Sequence, residues 1–212
     1  MITYEELERQ FGHGSLVKPI STAKVIEVFG SENSVGKTTL ALHRAAIVQK
    51  NGGTVLYIDS DNTLDYTYAK SMEIDPSKLL VCIENKATRI FNLIEALARE
   101  NKISLIIVDT ITALMFPDRF GEGFTRLVGL ITKSNMDVMF LHQIRWGYES
   151  RSNIRSLIQI QIERDKTFKT WSGKVSGYRN TVVVNMGNLI LQRYIFEVKQ
   201  IDKKYHITTV GS

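Results

Sequence analysis

The stretch V-I-E-V-F-G-S-E-N-S-V-G-K-T-T-L-A-L at 25–42 decides how this chain folds. It opens with a short apolar run, Val25 to Phe29, and passes through a polar segment bounded by glycines. It then continues into a helical pattern that extends from Gly36 to Lys50. A short apolar run predicts a buried strand, and the periodic apolar residues after it predict an amphipathic helix. The stretch therefore predicts a strand, a tight glycine loop and a helix in immediate succession.

The loop that begins at Gly30 is similar to the phosphate-binding pattern G-x-x-x-x-G-K-[ST]. Gly36 lets the backbone N–H groups approach a phosphate, Lys37 supplies a positive charge, and Thr38 offers a hydroxyl to Mg²⁺. Five residues separate the two glycines where the strict pattern has four, so either the loop is one residue longer or Ser31 takes the first glycine's place. The position directly after an apolar strand favours nucleotide binding over a chance G-K-T-T at a helix start.

Acidic residues follow two later apolar strands. Asp109 follows the run Leu105 to Val108, and Asp59 and Asp61 follow the second predicted strand. At the carboxyl end of a buried strand, Asp109 can hold Mg²⁺, usually through water, although it would also cap a helix well. Either Asp59 or Asp61 can orient and polarise an attacking water, and Glu32 in the loop is a weaker candidate.

Strand and helix patterns alternate along the first two thirds of the chain. The predicted strands are 25–29, 54–58, 79–83, 104–108 and 137–141, and the predicted helices are 36–50, 64–72, 88–100 and 124–134. Such alternation predicts an α/β fold with a mainly parallel sheet flanked by helices. Alternating apolar and polar residues then predict antiparallel strands that extend the sheet at one edge, over 157–164, 181–185, 189–198 and 205–210.

These patterns predict one domain with a short leading segment. We expect a core over 25–212, whose basic antiparallel part begins near residue 154, and a helix with a connector over 1–24. Hydrophobic residues make up 43% of the chain, so its composition is that of a globular protein. The apolar runs are too short to span a bilayer, and the acidic N-terminus lacks the apolar segment of a secretory signal. With a single cysteine, Cys82, we expect a cytoplasmic protein without a membrane partner.

The positive charge lies mainly in the last part of the chain. The net charge is +5, and residues 151–212 hold 11 Lys or Arg against four Asp or Glu. A basic segment on a nearly neutral body indicates a polyanion partner, with nucleic acid the leading candidate. On charge alone, a basic surface that maintains solubility is an equally good interpretation.

Five segments of the chain form one ordered set: E-R-Q-F-G-H-G-S-L at 8–16, I-E-V-F-G-S-E-N-S-V-G-K-T-T-L-A-L at 26–42, Y-I-D-S-D-N-T-L-D-Y-T-Y-A at 57–69, I-I-V-D-T-I-T-A-L at 106–114 and M-F-L-H-Q-I-R at 139–145. Taken together and in this order, they resemble the bacterial RecA recombinases. The resemblance implies a RecA-like P-loop ATPase that uses ATP and Mg²⁺, acts on single-stranded DNA and functions in recombination and repair. It also implies self-association into a filament or ring, in which the segment 4–16 docks on a neighbour.

The resemblance assigns roles to individual residues. ATP contacts fall on Ser34, Val35, Gly36, Lys37, Thr38, Thr39, Asp65 and Tyr68, the last two at the adenine, and the metal site falls on Thr38 and Asp109. The catalytic set is Lys37, Asp61 as the general base and Gln143 as the sensor of the γ-phosphate. A neutral amide suits the sensor because it can hydrogen-bond a phosphate oxygen without titrating.

The sequence after Gln143 is basic and aromatic, which indicates DNA contact. The candidate DNA-binding residues are Arg145, Trp146, Tyr148, Arg151 and Arg155. Guanidinium groups match phosphates, and aromatic rings stack on unpaired bases. The alternative is that the two aromatic residues pack under the sheet edge or in a subunit interface.

The chain departs from the family pattern at several positions. Asp61 stands where the family has Glu, the segments 116–123 and 146–153 are shorter than the family's DNA-binding loops, and 182–188 lacks its paired lysines. These departures keep a second function open, that of a RecA paralogue that binds nucleotide and a full-length recombinase without performing strand exchange. A ring-shaped helicase-type ATPase is a third possibility, against which the match at 8–16 argues.

Overall fold

The structure, a computed structural model, describes residues 24–30, 36–111, 121–143, 158–170, 172, 174–186, 189–201 and 204–210. The predictions made for the segment 4–16, the loop 31–35 and the segment 144–157 lie outside these residues. No helix in the described part of the chain is long and apolar enough to cross a membrane.

The elements alternate as the sequence predicts. In chain order they are β1 (Val25–Gly30), α1 (Lys37–Lys50), β2 (Val55–Asp59), α2 (Tyr66–Ser71), a 3₁₀ turn (Pro76–Lys78), β3 (Leu79–Ile83), α3 (Ala87–Glu100), β4 (Leu105–Asp109), α4 (Gly121–Ile131), β5 (Asp137–Gln143), β6 (Ile158–Lys169), β7 (Val175–Met186), β8 (Leu189–Ile201) and β9 (Lys204–Val210). Every helix and strand predicted within the described residues is present, and β5, β6, β7 and β8 are longer than predicted.

The nine described strands form one sheet in the order β3-β2-β4-β5-β1-β6-β7-β8-β9. Pairing is parallel from β3 to β6 and antiparallel from β6 to β9. The prediction of a mainly parallel sheet extended by antiparallel strands is confirmed. One detail differs from the prediction. β6 pairs antiparallel with β7 along one edge and parallel with β1 along the other. The 14 residues between β5 and β6 are enough for the long connection that parallel pairing requires.

The hydrophobic core lies on both faces of the sheet, and β4 contributes to each. Leu105 and Ile107 pack on the face covered by α1, and Ile106 and Val108 pack on the face covered by α3 and α4. All five residues of β4 are buried. This explains its continuous apolar sequence, which is typical of a parallel strand with both faces covered.

Helix α1 is fixed against the sheet by apolar packing and by an ion pair. Ala41, Leu42 and Ala45 are fully buried on its inner face. Between Leu42 and Ala45, the guanidinium of Arg44 donates to Asp137 at the start of β5 over 3.0 Å. These contacts direct the N-terminus of α1 toward the carboxyl edge of the sheet.

The carboxyl ends of the central strands lie side by side at that edge. Asp59 of β2 pairs with Asp109 of β4, and Asp109 pairs with Leu141 of β5. Gly30 at the end of β1 pairs with Gln143 at the end of β5. In parallel α/β sheets, ligands bind in the crevice outside the carboxyl ends of the strands. The register therefore gathers the predicted site residues at the edge where a ligand is expected.

Candidate functional site

The start of α1 has the backbone geometry of an anion-binding helix end. Gly36, the residue before the helix, has φ 95° and ψ 17°, a left-handed conformation that favours glycine. No side chain caps the helix there, and its first turn contains no acid. The first N–H groups of an α-helix have no partner within the helix, and their partial positive charge attracts anions. The helix start can therefore receive a phosphate.

Lys37, the first residue of α1, is a buried cation. Burial lowers the pKa of its ammonium group below the ordinary value, the carboxylate of Asp109 opposes that effect, and the positive charge of Arg164 adds to it. The charged form of Lys37 is thus poorly solvated. An anion in contact with Lys37 would offset the loss of hydration.

Asp109 is held by two hydroxyl donors. Thr38 Oγ1 donates to Asp109 Oδ2 over 2.8 Å, and the buried Tyr57 hydroxyl donates to the same oxygen over 2.5 Å. Burial raises the pKa of the Asp109 carboxyl, the two hydrogen bonds oppose that rise, and the charge of Asp59 adds to it. Burial and the nearby Asp109 also raise the pKa of Tyr57 well above its ordinary value, so its hydroxyl remains a donor. The arrangement fixes one carboxylate beside the first residues of α1.

Hydrogen bonds of Ser60 join the ends of β2 and β4. Ser60 N donates to Asp109 O over 2.8 Å, and Ser60 Oγ donates to Thr110 O over 2.6 Å. Thr110 N donates back to Ser60 Oγ over 2.8 Å, and the Asp109–Thr110 peptide bond is cis. These three bonds hold the strand that carries Asp109 against the strand that carries the other candidate acids.

The two acids after β2 have different environments. Asp59 is buried, and its carboxylate accepts hydrogen bonds from Thr63 N at 3.0 Å and Leu64 N at 2.8 Å. Asp61 is exposed, and its Oδ1 lies 3.5 Å from the donor Ser60 Oγ. Asp59 thus orders the following loop, whereas the carboxylate of Asp61 is accessible to solvent.

Of the two residues predicted to contact adenine, Tyr68 bonds to α1 and Asp65 caps α2. The side chain of Asp65 caps α2 by accepting a hydrogen bond from Tyr68 N over 3.0 Å. The Tyr68 hydroxyl shares a hydrogen bond of 2.6 Å with Thr39 Oγ1. The second and third residues of α1 therefore bond to two different elements, Thr38 to β4 and Thr39 to α2.

Part of the predicted site lies outside the described residues. This applies to Glu32, Ser34 and Val35 of the loop, and to the DNA-binding candidates Arg145, Trp146, Tyr148, Arg151 and Arg155. Gln143 is described through its backbone, which pairs with Gly30 at the start of the loop. The roles predicted for these residues stay predictions.

Sequence comparison agrees with this geometry. The model of the RecA N-terminal domain family matches residues 5–123, which is more than half of the chain. The chain belongs to the RecA family. The matched range contains the loop, α1, Asp59, Asp61 and Asp109.

Several RecA proteins are similar to this chain. Protein RecA of Mycoplasma genitalium is 36% identical over 155 residues, which cover 66% of this chain and 44% of that protein. Protein RecA of Acholeplasma laidlawii is 30% identical over 186 residues, which cover 68% of this chain and 56% of that protein. Protein RecA of Mesoplasma florum is 37% identical over 139 residues, which cover 58% of this chain and 41% of that protein. The chain thus spans about half the length of the RecA relatives it matches.

Sequence reasoning missed Tyr57, which bonds to Asp109, Arg164, whose charge acts on Lys37, and Asn180, which pairs with Arg164. Tyr57 is two positions before Asp59 in β2, so strand alternation alone places it on the face of α1. Arg164 follows Ile160 and Ile162 at the same spacing in β6, and Asn180 lies opposite it in β7. The alternation signal was present in the sequence for Tyr57 and Arg164. The position of Asn180 depended on the register between two strands.

Replacing Tyr57 with Phe tests how much the hydrogen bonds to Asp109 stabilise the fold. The change removes one of two donors from a buried carboxylate, so we expect the free energy of unfolding at neutral pH to fall by about 1–3 kcal/mol. Tyr66→Phe is the matched control, because Tyr66 is 61% exposed, and we expect less than about 0.5 kcal/mol there. Chemical denaturation measures both values, and equal stability of the two variants would contradict the account.

Proposed function

We propose that this chain is an ATP-dependent, RecA-like recombinase core that binds single-stranded DNA with ATP and Mg²⁺ and hydrolyses ATP. The observation that carries the proposal is the hydrogen bond from Thr38 to Asp109 beside the buried Lys37. A P-loop ATPase needs a cation for the phosphates and two oxygen ligands near them for Mg²⁺. The start of α1 and the end of β4 supply this combination.

Thr38 and Asp109 fit the chemistry of a magnesium site. Mg²⁺ prefers oxygen ligands and is usually bound by one or two protein groups together with substrate phosphates and waters. The Thr38 hydroxyl would hold the metal directly, and Asp109 would hold it through water. When bound, the ion bridges phosphate oxygens and neutralises their charge. The chain's own part is to fix these two oxygens next to Lys37 and the N–H groups of α1.

Asp61 is the proposed general base, because its carboxylate is exposed at the same edge of the sheet. Asp59 is a weaker candidate than the sequence alone suggests, since its oxygens accept two backbone hydrogen bonds from the loop. A base of this type positions the attacking water and accepts its proton. Gln143 is the proposed γ-phosphate sensor, supported by the pairing of its backbone with Gly30.

The cations of the antiparallel strands support a nucleic-acid partner. Phe168 in β6 lies under three of them, with Lys199 Nζ at 4.9 Å, Lys166 Nζ at 5.6 Å and the Arg179 guanidinium at 6.0 Å from its ring centroid. Glu197 balances part of this charge through ion pairs with Arg179 and Lys199. Together with the predicted contacts after Gln143, this basic and aromatic surface favours single-stranded DNA.

An exposed edge strand supports the proposed self-association. β3 forms one edge of the sheet, and its Leu80 and Ile83 are 50% and 63% exposed. An exposed apolar edge offers unpaired backbone groups and hydrophobic area to another chain. We propose that a second copy of the chain covers this edge in a filament or ring.

Replacing Lys37 with Ala tests the ATPase directly. We expect single-stranded DNA to stimulate ATP hydrolysis by the wild-type chain, and Lys37→Ala to lower the turnover by about 100-fold or more, because the phosphates lose their buried cation. Lys133→Ala, which removes an exposed lysine far from the loop in sequence, is the control and should keep wild-type turnover. Steady-state phosphate release with and without DNA provides the measurement. Nucleotide binding without any response to DNA would contradict the recombinase and favour the accessory paralogue.

Asp61→Asn tests the assignment of the general base. The amide keeps the size of the side chain but cannot accept the proton of the attacking water, so we expect turnover to fall by about 100-fold or more while ATP affinity is nearly unchanged. Single-turnover hydrolysis and nucleotide titration separate the two effects. Unchanged turnover would contradict the assignment and move the role to Asp59 or Glu32.

A further inference from the structure

Two neighbouring side chains account for most of the buried polar atoms that lack a partner in the described part of the chain. Four of the five such atoms are Arg164 Nε and Nη2, and Asn180 Nδ2 and Oδ1. Asn180 is only 1% exposed. Folded proteins rarely leave buried polar atoms unpaired, and a ligand is one reason for such a group. Because these four atoms belong to two neighbouring side chains, we expect a hydrogen-bonding group of a ligand to bind beside them.

Strand register explains why these two residues lie together. Arg164 of β6 pairs directly with Asn180 of β7, and residues opposite each other in an antiparallel pair share a face of the sheet. Ile160 and Ile162 precede Arg164 on the same face and belong to the core that α1 covers. The pairing is irregular between Arg164 and Lys166, as in a β-bulge, which often redirects a side chain beside a functional site.

The same register places Arg164 just beyond the end of β1. Ile162 pairs with Gly30, the residue at which β1 ends and the loop begins. Arg164 is two residues farther along β6, about 7 Å beyond that pair, and on the face of α1. The electrostatic effect of Arg164 on Lys37 agrees with this placement, since it adds to the effect of burial in lowering the pKa of Lys37.

Arg164 is stacked on an aromatic ring and has no counter-ion among the described residues. Its guanidinium carbon lies 4.0 Å from the centroid of the Tyr178 ring. The ring faces the cation and holds the guanidinium plane, but it cannot accept the directed hydrogen bonds of the N–H groups. Asp109, with Asp59 nearby, acts on Lys37, whereas Arg164 makes no ion pair with a described carboxylate. The unpartnered N–H groups of Arg164 therefore favour an anionic group with several acceptor oxygens.

We propose that Arg164 donates hydrogen bonds to the terminal phosphate of a nucleoside triphosphate bound in its own subunit, with Asn180 as a neutral second donor. This inference rests on the proposed nucleotide site at α1 and names a further part of it. A guanidinium suits the role because its planar N–H groups can bond two phosphate oxygens at once. The pair would distinguish a triphosphate from a diphosphate, since the diphosphate lacks the group that it binds.

Nucleotide titration of the full chain tests this role. Fluorescent ADP and a fluorescent, non-hydrolysable ATP analogue are titrated with Mg²⁺ into the wild type, Arg164→Gln and the control Arg193→Gln, an exposed arginine of β8. For Arg164→Gln we expect triphosphate affinity to fall about 10- to 100-fold and diphosphate affinity to change by less than about twofold. Arg193→Gln should keep both affinities. Equal losses for the two nucleotides, or none for either, would overturn the proposal.

Thermal unfolding separates binding from a structural role. Arg164→Met removes a half-buried cation with two buried, unpartnered N–H groups and keeps most of the side-chain volume, so we expect the nucleotide-free protein to melt at the wild-type temperature or above. The rise in Tm caused by the triphosphate analogue should shrink, while the rise caused by ADP should persist. A lower Tm without nucleotide, together with loss of both rises, would assign Arg164 to folding alone and overturn the proposal.

Lys37→Ala distinguishes this inference from the function on which it rests. We expect Lys37→Ala to lower the affinity for both nucleotides, because Lys37 acts on phosphates that ATP and ADP share. A wild-type chain that binds neither nucleotide would overturn the nucleotide site and the role of Arg164 with it. Binding of both nucleotides by the wild type, with unchanged discrimination in Arg164→Gln, would overturn the role of Arg164 alone.

Discussion

The hydrogen bond from Thr38 Oγ1 to Asp109 Oδ2 is the contact on which the arrangement of the site depends. It joins the first turn of α1 to the end of β4, through two residues that are 71 positions apart in the chain. Because α1 packs on β4 through apolar residues, the bond forms only when the core beneath it is assembled. The position of the proposed metal is thereby coupled to the packing of the whole parallel sheet.

The electrostatics of the site follow from its burial. A lysine ammonium and an aspartate carboxylate lie close together where water is largely excluded, and both lose hydration there. The hydroxyl groups of Tyr57 and Thr38 stabilise the carboxylate, whereas the charge of Arg164 disfavours the charged form of Lys37. Such a site is less favourable without an anion than with one. A nucleotide phosphate with its Mg²⁺ would satisfy the helix end, the two cations and the carboxylate together, which is the physical reason for the proposed function.

Much of the fold could be predicted from the sequence because its signals are local. The apolar run before Asp109 and the glycine loop before Lys37 each occupy a few consecutive residues, and the structure has β4 and α1 at those places. The parallel pairing of β6 with β1 could not be predicted, because the alternation of polar and apolar residues is the same for either strand direction. Asn180 was missed for a related reason. Its place opposite Arg164 depends on the irregular register of β6 and β7, which only the folded sheet defines.

A double-mutant cycle on Thr38 and Asp109 tests the central claim most directly. The affinity for a non-hydrolysable ATP analogue is measured with and without Mg²⁺ for the wild type, Thr38→Val, Asp109→Asn and the double variant. If the two residues hold one metal together, each single change should remove most of the gain in affinity that Mg²⁺ provides. The double variant should then lose little more, which corresponds to a coupling energy of about 1–3 kcal/mol. Losses that simply add, or an affinity that does not depend on Mg²⁺ in the wild type, would contradict the account.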